Sequence, residues 1–185
     1  MKNFDPKYRD LPDYIIRVTK EIWEDRGIAT LDHTYASDIV VRTPMGITRG
    51  NKAVIASTMA TCHEFPDRQL YADDVIWSGS AEEGFLSSHR LVSTGTHSGD
   101  GQFGVATGKP FRMYVIADCH AKDDVIDDEW LVRDYGGLVR ALGMDPRPYA
   151  RQLIEAEGEG YRFQVELIRR WFVGRVLHRI EERNE

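Results

Sequence analysis

The sequence predicts an α+β fold in which helices near the N-terminus pack on a curved antiparallel sheet. Two observations carry this prediction. Apolar residues recur at helical spacing in two early segments, and four strand-like segments separated by short turns follow: helices over 12–26 and 51–63, strands over 69–78, 84–97, 110–120 and 125–133. Helices followed by long strands with short connections are typical of a sheet with one covered face. At 185 residues and 42% hydrophobic content, the chain can build one substantial core.

Shorter elements complete the predicted core domain. Tyr14, Ile15, Val18 and Ile22 define the apolar face of the first helix, and Gly27 ends it. A short helix over 31–35, a strand over 39–41 and a turn over 46–50 come next. A closing helix over 135–143 ends at a glycine, and prolines follow it.

The C-terminal segment has a different pattern. Over residues 149–183, apolar side chains recur at steps of three and four, which predicts one long amphipathic helix. We therefore divide the chain into an α+β domain over 1–146 and a helical extension over 147–185. The apolar face of the extension would pack on its own domain or on a partner subunit, and contact with a membrane surface is the alternative.

Charge and composition exclude several classes of protein. Thirty acidic residues against 24 basic ones give a net charge of −6, which disfavours a nucleic-acid-binding protein. No window approaches the roughly 18–20 apolar residues of a membrane span, and the first residues lack the apolar run of a signal peptide. Two cysteines are too few for a disulfide scaffold. These features predict a cytoplasmic protein without nucleic-acid or membrane partners.

Three short motifs do not support the chemistry that they suggest. Residues 99–104 match G-x-G-x-x-G, but a strand rather than a helix follows, so no helix N-terminus would face a pyrophosphate. Cys62-His63 and Cys119-His120 are adjacent pairs, and neighbouring side chains on a strand point to opposite faces. We therefore expect neither a dinucleotide nor a metal.

A set of motifs in a fixed order carries a resemblance. It comprises the glycine-flanked turn 46–50 opening a helix, His89-Arg90 and Gly95-Thr96-His97 on one strand, Thr107-Gly108-Lys109 in the next loop, and 128–130 followed by 134–143. Over roughly residues 12–145, the sequence resembles the SnoaL-like polyketide cyclase family of the nuclear-transport-factor-2-like superfamily. The resemblance implies a cone-shaped α+β barrel around a hydrophobic pocket, commonly as a homodimer.

The resemblance also implies a reaction. The family's cyclases close a polyketide ring by intramolecular aldol condensation without metal or cofactor. Their acid/base aspartate directly follows the tryptophan of the last strand, where this chain has Leu131, and their histidine falls at Ala117. Both positions therefore carry apolar residues in this chain.

Other ionisable residues are candidates for acid/base chemistry. Strand alternation places Glu129 on the same face as Leu131, which the resemblance directs into the pocket. His89 or His97 could complete an acid/base pair with Glu129, since proton transfer needs a donor and an acceptor. The alternative for Glu129 is a rim position paired with Arg112 or Arg133. Asp134 is a further catalytic candidate, although a position just before a helix is also typical of an N-cap.

The remaining candidates line the expected pocket. They are apolar or aromatic and lie on three strands: Tyr71 and Trp77, Met113, Val115 and Ala117, and Leu131. The two aromatic residues could stack on a planar ligand or fill an ordinary core. The hypothesis is a cofactor-independent enzyme for aldol cyclisation, or a related isomerisation or hydrolysis, of a small hydrophobic carbonyl-bearing molecule. The alternative is a non-catalytic ligand-binding or dimerisation module on the same fold.

Overall fold

The computed structural model describes residues 1–157. Two compact units divide the chain, Met1–Gly143 and Met144–Glu185. The described part of the second unit is helix α5, Pro146–Glu157. The rest of the predicted C-terminal helix, residues 158–183, lies outside the described residues.

The helices of the first unit begin where capping residues allow. Helix α1 spans Leu11–Trp23, and the Asp10 side chain accepts a hydrogen bond from the Asp13 backbone N–H at its start. Its buried face contains the apolar residues that the sequence pattern selected, with Tyr14 fully buried. A short 3-10 turn, Ile28–Thr30, and helix α2, Leu31–Thr34, follow. Helix α3 is Asn51–Glu64, and helix α4 is Tyr135–Ala141.

Six strands form one open, curved sheet with the order β2-β1-β6-β5-β4-β3. They are β1 Tyr35–Thr43, β2 Gly46–Arg49, β3 Gln69–Ser80, β4 Gly84–Thr96, β5 Pro110–Lys122 and β6 Val125–Arg133. The four long predicted strands form the expected antiparallel meander. Helices on this curved sheet confirm the predicted α+β cone.

Two features of the sheet differ from the prediction. Strand β1 pairs in parallel with β6, so the sheet is mixed rather than wholly antiparallel. No local pattern signals this pairing, because the two strands are far apart in sequence. Residues 46–49, predicted as part of a turn, form strand β2 and pair with β1 as a short hairpin. The turn itself is shorter, and Gly46 supplies a positive φ of 135° beside it.

An aromatic cluster fills one end of the cone. The Tyr14 ring packs edge-on against Phe4 and Tyr8, with ring centroids 5.0 and 4.9 Å apart, and also contacts Phe85. Buried residues of β1, β5 and β6 complete this cluster. Edge-to-face aromatic packing stabilises a core beyond the burial of area alone. This end of the concave sheet face is therefore closed by side chains from the N-terminal segment.

The glycine-rich loop after β4 is held by the end of α3. The Glu64 side chain is buried, and its Oε1 accepts a 2.7 Å hydrogen bond from the Phe103 backbone N–H. The Glu64 carbonyl oxygen also accepts from the N–H groups of Ser98 and Gly99. A Cβ at Gly101 would lie 2.5 Å from the Glu64 Cδ atom. These glycines therefore permit close contact with a buried carboxyl group, and the G-x-G-x-x-G match has a structural explanation.

We predict that Gly101→Ala lowers the free energy of unfolding by about 1–3 kcal/mol, because the new methyl group would displace Glu64 from the Phe103 N–H. Urea unfolding monitored by circular dichroism measures the change. Gly136→Ala is the matched control, since its nearest neighbour would lie 3.7 Å from the new Cβ. A Gly101→Ala protein as stable as the wild type would contradict this account of the loop.

Candidate active site

The register of β4, β5 and β6 aligns side chains across the concave face in rows. One row contains His89, Ala117 and Leu131, which pair directly across the three strands. The next row, toward the aromatic cluster, contains Ser87, Cys119 and Glu129. On the other side, Leu91 and Val115 align with Arg133. Since partners in antiparallel strands share a face, all three rows face the helices.

Glu129 lies inside the cone. Its side chain is 6% exposed, and its Oε2 accepts a 3.3 Å hydrogen bond from the Tyr35 hydroxyl. The Cys119 thiol lies 3.8 Å from Oε1. Among the described residues, no basic nitrogen lies within 4.0 Å of the carboxyl oxygens, so Glu129 does not pair with Arg112 or Arg133. Burial raises the pKa of Glu129 to about 7, although the positive charge of Arg133 opposes that increase.

His89 is buried on the same face. It is 2% exposed, and neither of its ring nitrogens has a hydrogen-bond partner. Burial lowers the pKa of this imidazole to about 4, so it is neutral at neutral pH. His89 pairs across the strands with Ala117, the position at which the resemblance places the family's histidine. Strand β5 separates it from Glu129, and no direct hydrogen bond joins the two groups.

His97 belongs to a different part of the structure. The imidazole is fully buried, its Nδ1 accepts from the Thr107 backbone N–H at 3.3 Å, and its ring packs on Phe65. Its Nε2 lies 3.3 Å from Glu64 Oε1, without the alignment of a hydrogen bond. His97 is thus brought together with Glu64 rather than with Glu129. The sequence analysis did not select Glu64, because a single glutamate at a helix end carries no distinguishing signal.

Asp134 has a structural role. Its side chain is exposed, caps helix α4 and accepts a 2.7 Å hydrogen bond from the Gly137 backbone N–H. The N-cap alternative therefore describes its position, and we do not assign it to the chemistry.

The two aromatic residues of β3, Tyr71 and Trp77, do not lie on the same face of the strand. Tyr71 and Trp77 were expected to share a face, but they are 53% and 52% exposed. A bulge between Ala72 and Asp74 inserts one residue, so Tyr71 pairs with outward-facing Val92 and Trp77 with inward-facing Ser87. Trp77 stays exposed on an edge strand that has no further partner strand among residues 1–157. Tyr71 and Trp77 therefore lie on opposite faces of β3, and neither is among the residues that line the pocket described below.

The other expected lining residues do face the interior. Met113 and Val115 are buried, whereas Ala117 and Leu131 are only partly buried. Since both partly buried residues lie on the concave face, the row with His89 retains accessible surface. That row is the part of the interior at which a substrate could approach the titratable groups.

A small pocket of about 20 Å³ opens at the far end of the concave face from the aromatic cluster. Apolar and polar residues from α3, β5, β6, α4 and the adjoining loops line it: Thr61, Glu64, Phe65, Arg68, Gln102, Phe103, Phe111, Met113, Arg133, Tyr135 and Leu138. Of the residues predicted to line a pocket, Met113 alone belongs to this set. Arg133 contributes to it from the row next to His89.

The described residues were also compared with the requirements of a metal site, a disulfide and a membrane span. Within 1–157, no three His, Cys, Asp or Glu side chains are grouped so that they could hold a metal ion. Cys62 and Cys119 are free thiols. No helix in that range has the length and apolar character needed to cross a membrane.

Comparison with solved structures defines the class of fold. IdmH from Streptomyces antibioticus matches with a TM-score of 0.60 and 23% identity over 72% of this chain and 98% of its own. TsrD from Streptomyces laurentii matches with a TM-score of 0.58 and 20% identity over 70% of this chain and 95% of its own. A Catenulispora acidiphila protein with a ketosteroid isomerase-like fold, in complex with trimethylamine, matches with a TM-score of 0.58 and 10% identity. The match covers 72% of this chain and 94% of that protein. The fold is thus the ketosteroid isomerase-like α+β cone.

A sequence comparison then gives the family. The profile of the SnoaL-like polyketide cyclases matches residues 14–142. The chain belongs to this family. A search of curated proteins found no significant match.

We predict opposite pH dependences of stability for Glu129→Gln and His89→Gln. The raised pKa of Glu129 stabilises the fold below pH 4.5, and this contribution is lost as pH rises toward 7. The lowered pKa of His89 stabilises the fold above pH 6.5, and this contribution is lost as pH falls toward 4. Each contribution amounts to at most about 3 kcal/mol.

The free energy of unfolding of Glu129→Gln, relative to that of the wild type, should therefore increase as the pH rises from 4.5 to 7. The relative free energy of unfolding of His89→Gln should increase as the pH falls from 6.5 to 4. Urea unfolding across this range measures both differences. Glu82→Gln, on an exposed turn, is the control and should follow the wild type. Parallel curves for all four proteins would exclude the proposed ionisation states.

Proposed function

We propose that this chain is a cofactor-independent cyclase-type enzyme that transfers protons on a small hydrophobic carbonyl-bearing substrate. Aldol cyclisation is the reaction that the family membership supports, and isomerisation or hydrolysis are related reactions on the same scaffold. The observation that carries the proposal is the partly exposed row of His89, Ala117 and Leu131, next to the buried carboxyl group of Glu129.

The chemistry follows from the two ionisation states. A carboxyl group with a pKa of about 7 can both accept and donate a proton near neutral pH. Glu129 would remove the proton alpha to the substrate carbonyl and return it to the product oxygen. His89, neutral and without a partner at either ring nitrogen, would donate its ring N–H to the carbonyl oxygen at the other side of the substrate. The surrounding apolar side chains would hold the reacting carbons together and exclude water.

A substrate would approach the His89 row from the end of the concave face at which the pocket lies, since Arg133 belongs both to the pocket lining and to the row next to His89. A small-molecule partner agrees with the trimethylamine complex of the Catenulispora protein. The cytoplasmic location expected from the sequence stays a prediction.

A second candidate function is binding without catalysis. The resemblance places the family's acid/base pair at Leu131 and Ala117, which cannot transfer protons. On this alternative, the interior would hold a small molecule, and Glu129 and His89 would only shape the cavity.

Proton exchange separates the two candidates. We predict that the protein accelerates exchange of the alpha protons of 2-tetralone in D₂O, measured by proton NMR, and that Glu129→Gln reduces this acceleration by about 100-fold or more. Glu82→Gln should retain it, because that carboxylate lies on the surface. Unchanged exchange in Glu129→Gln would remove Glu129 from the mechanism. Absence of exchange in the wild type would favour the binding module.

We also propose that two copies associate through the outer face of the sheet. This face exposes an unusual number of large apolar side chains: Ile76, Leu86, Tyr114, Ile116, Trp130 and Val132. Several exposed large apolar side chains on one face are typical of an interface between proteins.

We predict that Ile116→Glu converts a dimer to a monomer, because it places a charge at the centre of this face. Light scattering coupled to size-exclusion chromatography measures the mass. Val105→Glu is the control, since Val105 is an exposed apolar residue on the glycine-rich loop. A wild-type monomer, or a dimer that survives Ile116→Glu, would contradict this interface.

A further inference from the structure

Arg68 is a buried cation without an acidic partner. It is 3% exposed, its Nε donates a 2.9 Å hydrogen bond to the Ser93 hydroxyl, and its guanidinium lies 4.6 Å above the Trp23 ring. Among residues 1–157, no carboxylate oxygen lies within 4.0 Å of it. A buried charge without a counter-charge is unfavourable, so binding of an anion next to Arg68 would be stabilising. Arg68 lines the pocket.

Arg133 brings a second guanidinium to the same pocket. Its Nη1 donates to the Tyr135 hydroxyl at 3.0 Å, and its Nε is buried without a hydrogen-bond partner. The described residues place no carboxylate within ion-pair distance of this group either. Burial lowers the pKa of Arg68, and the positive charge of Arg133, which lines the same pocket, lowers it further.

Glu64, the one carboxylate in the pocket lining, is engaged elsewhere. Its Oε1 accepts from the Phe103 backbone N–H and lies beside His97 Nε2. Two guanidinium groups and one carboxylate leave the lining with a net positive charge. The rest of the wall is mostly apolar and aromatic, contributed by Phe65, Phe103, Phe111, Met113 and Leu138.

We propose that this pocket binds a carboxylate carried on an apolar or aromatic body, with Arg133 and Arg68 as the recognition groups. Guanidinium groups bind carboxylates through paired, charge-assisted hydrogen bonds, and Arg133 and Arg68 bring two such groups to the pocket lining. The pocket has room for the carboxylate group, and the apolar and aromatic side chains of its wall would contact the part of the ligand body nearest that group. The inference rests on the proposed function only in that the ligand would be the substrate of the site.

Calorimetric titration with matched probes tests the assignment. The probes are 2-naphthoate and its uncharged analogue 2-naphthamide, with inorganic phosphate as a third arm, all near pH 8. We expect naphthoate to bind at least about 10-fold more tightly than naphthamide. Arg133→Met should reduce this preference to less than about 2-fold, and Arg133→Lys should restore part of it, because a charge returns without the planar fork.

Arg112→Met is the matched control. Arg112 lies on the outer face of β5, where its guanidinium packs on the Tyr114 ring, so its removal should leave the naphthoate preference unchanged. Arg68 is not the main test position, because its stacking on Trp23 makes loss of folding a competing explanation. Thermal unfolding of each Arg133 variant verifies that the protein is folded.

Several results would overturn the proposal. Equal affinity for naphthoate and naphthamide, absence of binding, or equal losses in Arg112→Met and Arg133→Met would each exclude carboxylate recognition here. Phosphate that binds as tightly as naphthoate would show that the apolar wall contributes nothing. The titration involves no turnover, so charge-selective binding without tetralone exchange would refute only the proposed function. Exchange without charge-selective binding would refute only this inference.

Discussion

The register of β4, β5 and β6 is the constraint on which the site depends. Side chains alternate between the faces of a strand, so a slip by one residue would move Glu129 out of the cone and bring Trp130 in. The same slip in β4 would replace His89 with Arg90 on the concave face. Strand β3 illustrates the effect, because one inserted residue places Tyr71 and Trp77 on opposite faces. The fold therefore holds its titratable groups by backbone pairing rather than by ion pairs.

Burial moves the two interior groups in opposite directions. The Glu129 carboxyl group favours its protonated form and the His89 imidazole its neutral form, since both lose water and neither has a charged partner within ion-pair distance among the described residues. The cone can contain both at neutral pH without two full charges in its core. They lie beside Ala117 and Leu131, the positions where the resemblance places the family's acid/base pair. The two groups to which we assign the proposed proton transfer thus lie on neighbouring positions of the same surface.

The opposite end of the concave face is built by different parts of the chain. The end of α3 supplies Glu64, which fixes the glycine-rich loop, and Arg68 follows a few residues later. The end of β6 supplies Arg133, and the start of α4 supplies Tyr135. The two ends of the concave face therefore differ. The aromatic cluster closes one end, and the other end holds the open, cationic pocket. A ligand with a polar group at one end and an apolar body fits that polarity.

The sequence by itself determined the α+β class and the antiparallel meander, because alternation and helical spacing are local properties. The order of its motifs carried the resemblance to the family, and that resemblance together with strand alternation predicted the inward direction of Glu129. Only the tertiary structure decided the parallel β1–β6 pairing, the bulge in β3 and the separation of His97 from Glu129, since each depends on segments distant in the chain. The pocket belongs to the second group as well. No pattern in the sequence joins Arg68 and Arg133, and their significance comes from the pocket that they share, in which buried Arg68 and half-buried Arg133 have no carboxylate within ion-pair distance among residues 1–157.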